Sequence, residues 1–62
     1  MVPEAAIIEN IIELRAEADE ARHLASSLDD SALITQLFVY ARALEAHADF
    51  WELGLRRQAE AA

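Results

Sequence analysis

The segment "SSLDDSA", residues 26–32, decides the fold, because it interrupts a chain whose composition is otherwise that of helices. It contains neither glycine nor proline, but serine and aspartate favour helix caps over helix interiors, since their side chains bond to nearby backbone groups. Asp29 or Asp30 can cap a following helix through its carboxylate, and the negative charge suits that helix N-terminus. We therefore expect a turn at about residues 28–30 and a second helix that begins at about residue 30.

Before the turn, one apolar row repeats in steps of four and three residues, the heptad pattern of a helix that packs against another helix. The row is Ile7, Ile11, Leu14, Ala18, Ala21, Ala25 and Leu28. Pro3 suits the first helical position, and Glu4 lies in the favourable first turn. The opposite side carries Glu9, Glu13, Asp19 and Glu20, which is typical of a solvated face. The pattern predicts a first helix over about residues 3–27.

After the turn, a second apolar row has the same spacing. It is Ile34, Leu37, Ala41, Leu44, Ala48, Trp51 and Leu55, and we call the two rows together the inner seam. Gly54 could end this helix at Leu53, or lie inside a longer helix at a cost of about 1 kcal/mol. We favour a helix over about residues 30–59, because Leu55 keeps the period and Glu52 stands four residues before Arg56, a stabilising arrangement.

The two rows of the inner seam face each other if the chain folds as an antiparallel hairpin. Leu28 then lies opposite Ile34, and Ile7 opposite Leu55, and the numbers of every facing pair sum to 62. The central layer pairs Ala21 with Ala41, so either the helices come very close there or a side chain from another chain fills the gap. We expect an all-α fold with residues 1–62 as one antiparallel two-helix hairpin, dimerising into a four-helix bundle.

A further apolar row on helix two, which we call the outer row, consists of Val39, Ala43, Ala46, Phe50 and Leu53. Residues two apart on a helix differ by about 200°, so the outer row faces away from the inner seam. A helix that is apolar nearly all round is a buried helix, so its second cover has to come from outside this chain. We predict the outer row as an interface, together with Ile8 and Ile12, a smaller patch on helix one.

Two assemblies are consistent with these rows. Hairpins could pair through their inner seams and leave the outer row for another protein. Alternatively, each hairpin closes on its own inner seam and the outer rows meet across a dimer axis. We favour the second, because it covers more apolar surface with fewer participants. A subunit of a hetero-complex stays as an alternative.

Length, charge and composition limit the function classes. A chain of 62 residues has a marginal core, and without cysteine neither a disulfide nor a thiolate metal site can reinforce it. Its net charge of −7 repels phosphate backbones and anionic lipids, so we expect no nucleic-acid partner and no membrane partner. No apolar run approaches the ~18 residues of a membrane span, and "MVPEAAIIEN" lacks the basic region of a signal peptide. We expect a cytoplasmic protein.

Chemical activity has little support in the sequence. Glu20 and His23 have the Glu-x-x-His spacing of carboxylate-bridged di-iron bundles, which makes a ferritin-like metal protein the alternative from another class. Both residues lie off the inner seam, however, and helix two has no matching motif. His47 borders the seam, either as a packing residue or as a pH-sensitive interface residue. With no cysteine and no base placed around a nucleophile, we expect no enzyme activity, no metal and no cofactor.

The segment over residues 20–48 resembles a broad group of short bacterial helical-hairpin proteins of uncharacterised function. The resemblance rests on Ala21, Leu24 and Ala25, then Asp29 and Asp30, then Leu37, Ala41 and Leu44. It implies the hairpin fold and no particular activity. The architecture is also similar to that of the Rop family of plasmid RNA-regulating proteins, which are hairpins dimerised into four-helix bundles. Those proteins present basic residues from helix one, where this chain has mostly acids, so their RNA function does not transfer.

Overall fold

The computed structural model describes residues 3–61, and the outermost residues of the expected domain, 1, 2 and 62, lie outside this part. Helix α1 spans Glu4–Ser26, helix α2 spans Ser31–Ala61, and the two pack against each other along their length. The described chain contains no strand, which confirms the all-α hairpin. The result is a rod of 49 × 15 × 15 Å.

The carboxylate of Asp30 caps α2. Its Oδ1 accepts hydrogen bonds from the backbone N–H of Ala32 at 2.9 Å and of Leu33 at 3.3 Å. These bonds satisfy two of the N–H groups that lack a partner at the start of a helix. At the other side of the turn, the hydroxyls of Ser26 and Ser27 donate to the carbonyls of the preceding helical turn, which occupies the last acceptors of α1.

Burial follows the inner seam. Every residue of both rows is buried or half-buried, whereas all other apolar residues larger than alanine that the structure describes are exposed. One core cluster joins Ile7, Ile11 and Ala48, with Leu14, Trp51 and Leu55 packed against it. A second joins Ala18, Ala21 and Ala41, with Leu37 and Leu44 against it. Both clusters contain residues that the register places in the same or neighbouring layers.

The central layer is closed within the chain. Ala41 is fully buried, and Ala21 is 6% exposed. The helices therefore come close enough at this layer for two alanines to fill it, and no side chain from another molecule is needed there.

Gly54 lies inside α2, so the helix continues past it to Ala61. A Cβ added at this glycine would meet nothing within 4 Å, and its φ is not positive. Glu52 accepts a hydrogen bond from Arg56 at 3.1 Å, as expected for the longer helix. Nothing within the described chain requires a glycine at this position.

Candidate interaction surface

The hairpin has two long edges, one on each side of the inner seam, and one of them is charged. In an antiparallel helix pair, residues that flank the seam on the same side meet across one edge. Here Arg15 Nη2 donates to Glu52 Oε2 at 3.0 Å, and Arg22 pairs in the same way with Glu45. We call this side the ion-pair edge.

All ion pairs of residues 3–61 lie on this edge. Besides the two between the flanking residues, Arg15 contacts Asp49 at 3.2 Å and Arg22 contacts Asp19 at 3.1 Å, while Arg56 pairs with Glu52. The side chains involved are 36–72% exposed, and exposed pairs contribute about 0–1 kcal/mol each. Three of the five pairs connect α1 with α2 and favour one register of the two helices. The other two, Arg22 with Asp19 and Arg56 with Glu52, lie within a single helix.

The opposite edge has more apolar side chains, although Asn10 and Glu17 of α1 also lie on it. Leu24 of α1 and Leu33, Tyr40 and His47 of α2 flank the seam on this side, and we call it the apolar edge. The Tyr40 hydroxyl donates to Glu17 Oε1 at 2.7 Å. That hydrogen bond to a carboxylate raises the pKa of Tyr40 above 10.0, with partial desolvation and the Glu17 charge as smaller causes.

Trp51 connects the inner seam with the apolar edge. Its Nε1 donates to Nε2 of His47 at 3.0 Å. Because an indole nitrogen can only donate, His47 Nε2 is the acceptor, and the proton of the neutral imidazole lies on Nδ1. The adjacent Phe50 ring contacts Trp51 edge-on, with centroids 6.2 Å apart, and stays outside the core.

The outer row lies at the surface along its whole length. Phe50 is 69% exposed, Val39 60% and Leu53 48%, and Ala43 and Ala46 are exposed between them. Three large side chains protrude, so alanine alone does not account for the row. On the helix the outer row adjoins the apolar edge, where Leu33 and Tyr40 are also exposed. The outer row and apolar edge of α2 together form an apolar strip from residue 33 to residue 54.

Ile8 and Ile12 form a separate patch, 43% and 60% exposed. Ile8 stands seven residues before Arg15 and therefore occupies the same side of α1, that of the ion-pair edge. A single partner helix on the outer row cannot also cover this patch.

Leu24, which is 53% exposed, is an apolar surface residue outside the outer row and the patch of Ile8 and Ile12. It immediately precedes Ala25 of the inner seam, and that neighbour places it on the apolar edge. Its position across from Leu33 repeats that of Glu17 across from Tyr40. This relation can be found from the register alone.

The outer side of α1 is acidic and solvated. Glu9, Glu13 and Glu20 are exposed and form no ion pair within residues 3–61. Two open grooves lie at the end of the hairpin opposite the turn, with volumes of about 280 and 190 Å³. The larger lies between Glu13 and Trp51, and the smaller between Phe50 and Gly54.

Glu20 and His23, the candidate metal ligands, are both exposed. His23 Nδ1 lies 3.0 Å from the carbonyl oxygen of Asp19, one turn earlier in the same helix. Within residues 3–61 no three His, Cys, Asp or Glu side chains are grouped so that they could hold a metal ion. In the same part of the chain, neither helix is long and apolar enough to cross a bilayer.

Comparisons of the chain with protein-family models, with curated proteins and with solved structures find no match.

Proposed function

We propose that this chain is a small self-associating hairpin that acts as a protein–protein interaction or regulatory module, with the outer row of α2 as its binding surface. The observation that carries the proposal is the number of large apolar side chains that the hairpin leaves exposed. Within residues 3–61, none of them is fully buried, and nine are exposed. They are Ile8, Ile12, Leu24, Leu33, Phe38, Val39, Tyr40, Phe50 and Leu53. Contiguous apolar patches on a monomer mark interaction sites.

The small core of the single chain supports the same proposal. Five of its seven buried residues are alanines, which contribute little apolar area each. Fully burying one large apolar side chain contributes about 1.5–3 kcal/mol. A contact that covers Val39, Phe50 and Leu53 on both copies would therefore add substantially to the stability of the hairpin.

The size of this gain also predicts that association depends on concentration. The three large side chains of the outer row are already about half covered by their own helix, so two copies recover about half of six full burials, or about 5–9 kcal/mol. Association costs about 4–15 kcal/mol in translational, rotational and side-chain freedom. The balance is close, so side chains beside the outer row, such as Tyr40, have to contribute as well.

The proposal is tested by measuring the molar mass with light scattering over a range of concentrations, for the wild type and for Phe50→Glu. Burying a carboxylate without a partner is costly. We expect the wild type to approach at least twice the chain mass of 6.9 kDa, and Phe50→Glu to stay at the chain mass. Circular dichroism on the same samples shows whether the hairpin is still helical.

The matched control is Ala16→Glu, which adds the same charge at an exposed position on the outer side of α1. It should leave the mass unchanged. A wild type that stays monomeric at every concentration refutes self-association and favours the hetero-complex. An unchanged mass for Phe50→Glu removes the outer row from the interface. If Phe50→Glu loses its helicity, Leu53→Ser provides the milder test of the same row.

A further inference from the structure

We propose that two copies bind through an antiparallel contact between their α2 helices, in one register, with a two-fold axis near residue 48. In this register Ala46 lies opposite the partner's Phe50, and Ala43 opposite the partner's Leu53. The numbers of facing residues sum to 96. This inference rests on the proposed function and specifies the occupant of the outer row as a second copy of the chain.

Within the hairpin, the register of the two antiparallel helices fixes which residues meet in the seam and which meet on each edge. Facing residues of the inner seam have numbers that sum to 62. On the ion-pair edge, Arg15 with Glu52 and Arg22 with Glu45 sum to 67, five more than the seam. On the apolar edge, Glu17 with Tyr40 sums to 57, five fewer. The same offsets apply to any antiparallel pair of helices with heptad spacing.

The outer row has this heptad spacing, and two antiparallel registers keep most of it in contact. In the register that sums to 96, each alanine of the row faces a large side chain, Phe50 or Leu53, and Val39 faces the stem of the partner's Arg57. In the register that sums to 89, Ala43 faces the partner's Ala46, and Val39 faces the partner's Phe50. The second arrangement puts small against small and large against large. Facing helices fill space best when large and small residues alternate, so side-chain volume favours the sum of 96.

Charge favours the same register. When facing residues of the outer row sum to 96, residues that flank the row on one side sum to five fewer, 91. Arg42 then faces the partner's Asp49, and by symmetry this contact occurs twice. With a sum of 89, Arg42 faces the partner's Arg42, which is repulsive. Arg42 is exposed and forms no ion pair within residues 3–61, and Asp49 is 69% exposed beside Arg15. Opposite charges placed across an antiparallel helix pair select its partner orientation.

Gly54 is a third, independent observation. A glycine inside a helix costs about 1 kcal/mol relative to alanine. Neither the backbone conformation nor a neighbouring atom of the same chain requires it. In the proposed register the partner's His47 lies over Gly54, at the groove of about 190 Å³ between Phe50 and Gly54. Close approach of another molecule is a physical reason for a glycine at this position.

The register also accounts for the acidic side of α1. Because the outer row and the inner seam lie on nearly opposite sides of α2, the four helices of the dimer lie side by side, with the two α2 helices in the middle. Glu9, Glu13 and Glu20 then stay in water. A closed bundle that stacked the apolar edges of two hairpins would instead enclose Glu17, which lies on that edge, at a large desolvation cost.

Disulfide cross-linking tests the register, because the chain has no cysteine of its own. We would prepare Arg42→Cys and Asp49→Cys as separate variants and oxidise each alone and in an equimolar mixture. Cysteines form a disulfide only when their Cα atoms are within about 7 Å. In the mixture we expect covalent dimers that contain one chain of each variant. When either variant is oxidised alone, we expect no covalent dimer.

Cross-linking of Arg42→Cys alone would show the register that sums to 89 and overturn the proposal. Dimers by light scattering under reducing conditions, with no cross-link in the mixture, would overturn the register while leaving the proposed function intact. A wild type that is monomeric by light scattering would instead refute the proposed function. Helicity of both variants, measured before oxidation, confirms that the hairpin is folded in each sample.

Discussion

Replacing Ala41 by leucine tests whether the inner seam is closed within one chain. Ala41 is fully buried and packs with Ala18 and Ala21 in the centre of the hairpin. Leucine adds three carbon atoms at a site with no exposed surface, so either the side chain adopts a strained rotamer or the helices separate. Overpacking of this kind costs about 1–3 kcal/mol. For a chain of 62 residues the total stability is about 3–9 kcal/mol, so the loss is a large part of it.

The assay is thermal unfolding followed by circular dichroism at one fixed protein concentration, because binding between copies raises the apparent stability. In a domain of this size, 1 kcal/mol shifts the melting temperature by about 4–8 °C, so Ala41→Leu should lower it by about 4–24 °C. Ala16→Leu makes the same change on the exposed side of α1 and should stay within about 0.5 kcal/mol of the wild type. If Ala41→Leu melts as high as Ala16→Leu, the central layer has room, and the conclusion that two alanines fill it is wrong.

Two other predictions concern the single tyrosine and the turn. The phenolate absorbance of Tyr40 should titrate with a midpoint above 10.0, and Glu17→Gln should lower that midpoint, since the hydrogen bond to the carboxylate is the main cause of the raised pKa. Because the pKa of Tyr40 is higher in the folded than in the unfolded state, this bond stabilises the hairpin below pH ~10 and stops doing so as the pH rises through the folded-state pKa. An unshifted midpoint in the wild type would contradict the hydrogen bond. Asp30→Ala should cost about 0.5–2 kcal/mol in urea unfolding, because it removes the cap of α2, whereas Asp29→Ala should cost much less, and equal losses would show that both aspartates cap.

The hairpin and its register could be predicted because the spacing of apolar residues in both helices allows only one register for all layers. Seven layers have to agree on one register, and a shift of a single position would place charged side chains in the seam. The spacing did not reveal the distance between the helices, so the gap at Ala21 and Ala41 stayed open until both were seen to be buried. The sequence also left Asp29 and Asp30 equivalent, since only the path of the turn determines which carboxylate reaches the N–H groups of α2.

The surface was less predictable than the core, because apolar character identifies exposed residues without showing which side of the seam they occupy. Ile8 and Ile12 are apolar residues outside the seam, as the outer row is, yet their heptad positions place them on the ion-pair edge. Leu24 lies next to Ala25 of the inner seam, so the spacing of the seam does not by itself show that Leu24 is exposed. The ion-pair edge itself depends on the reach of long arginine and glutamate side chains, and it becomes visible only when the register is applied to the residues beside the seam.

The two edges explain why a second copy would bind on one side of the hairpin. On the ion-pair edge, Arg15 and Arg22 already satisfy acids of α2, so a partner would have to displace existing contacts there. On the outer row there are no such contacts to lose, and the exposed apolar area is greatest at Phe50. α2 thus supplies both the inner seam of the hairpin and the proposed dimer contact. Because the inner seam and the proposed dimer contact share this one helix, we expect folding and association to be coupled.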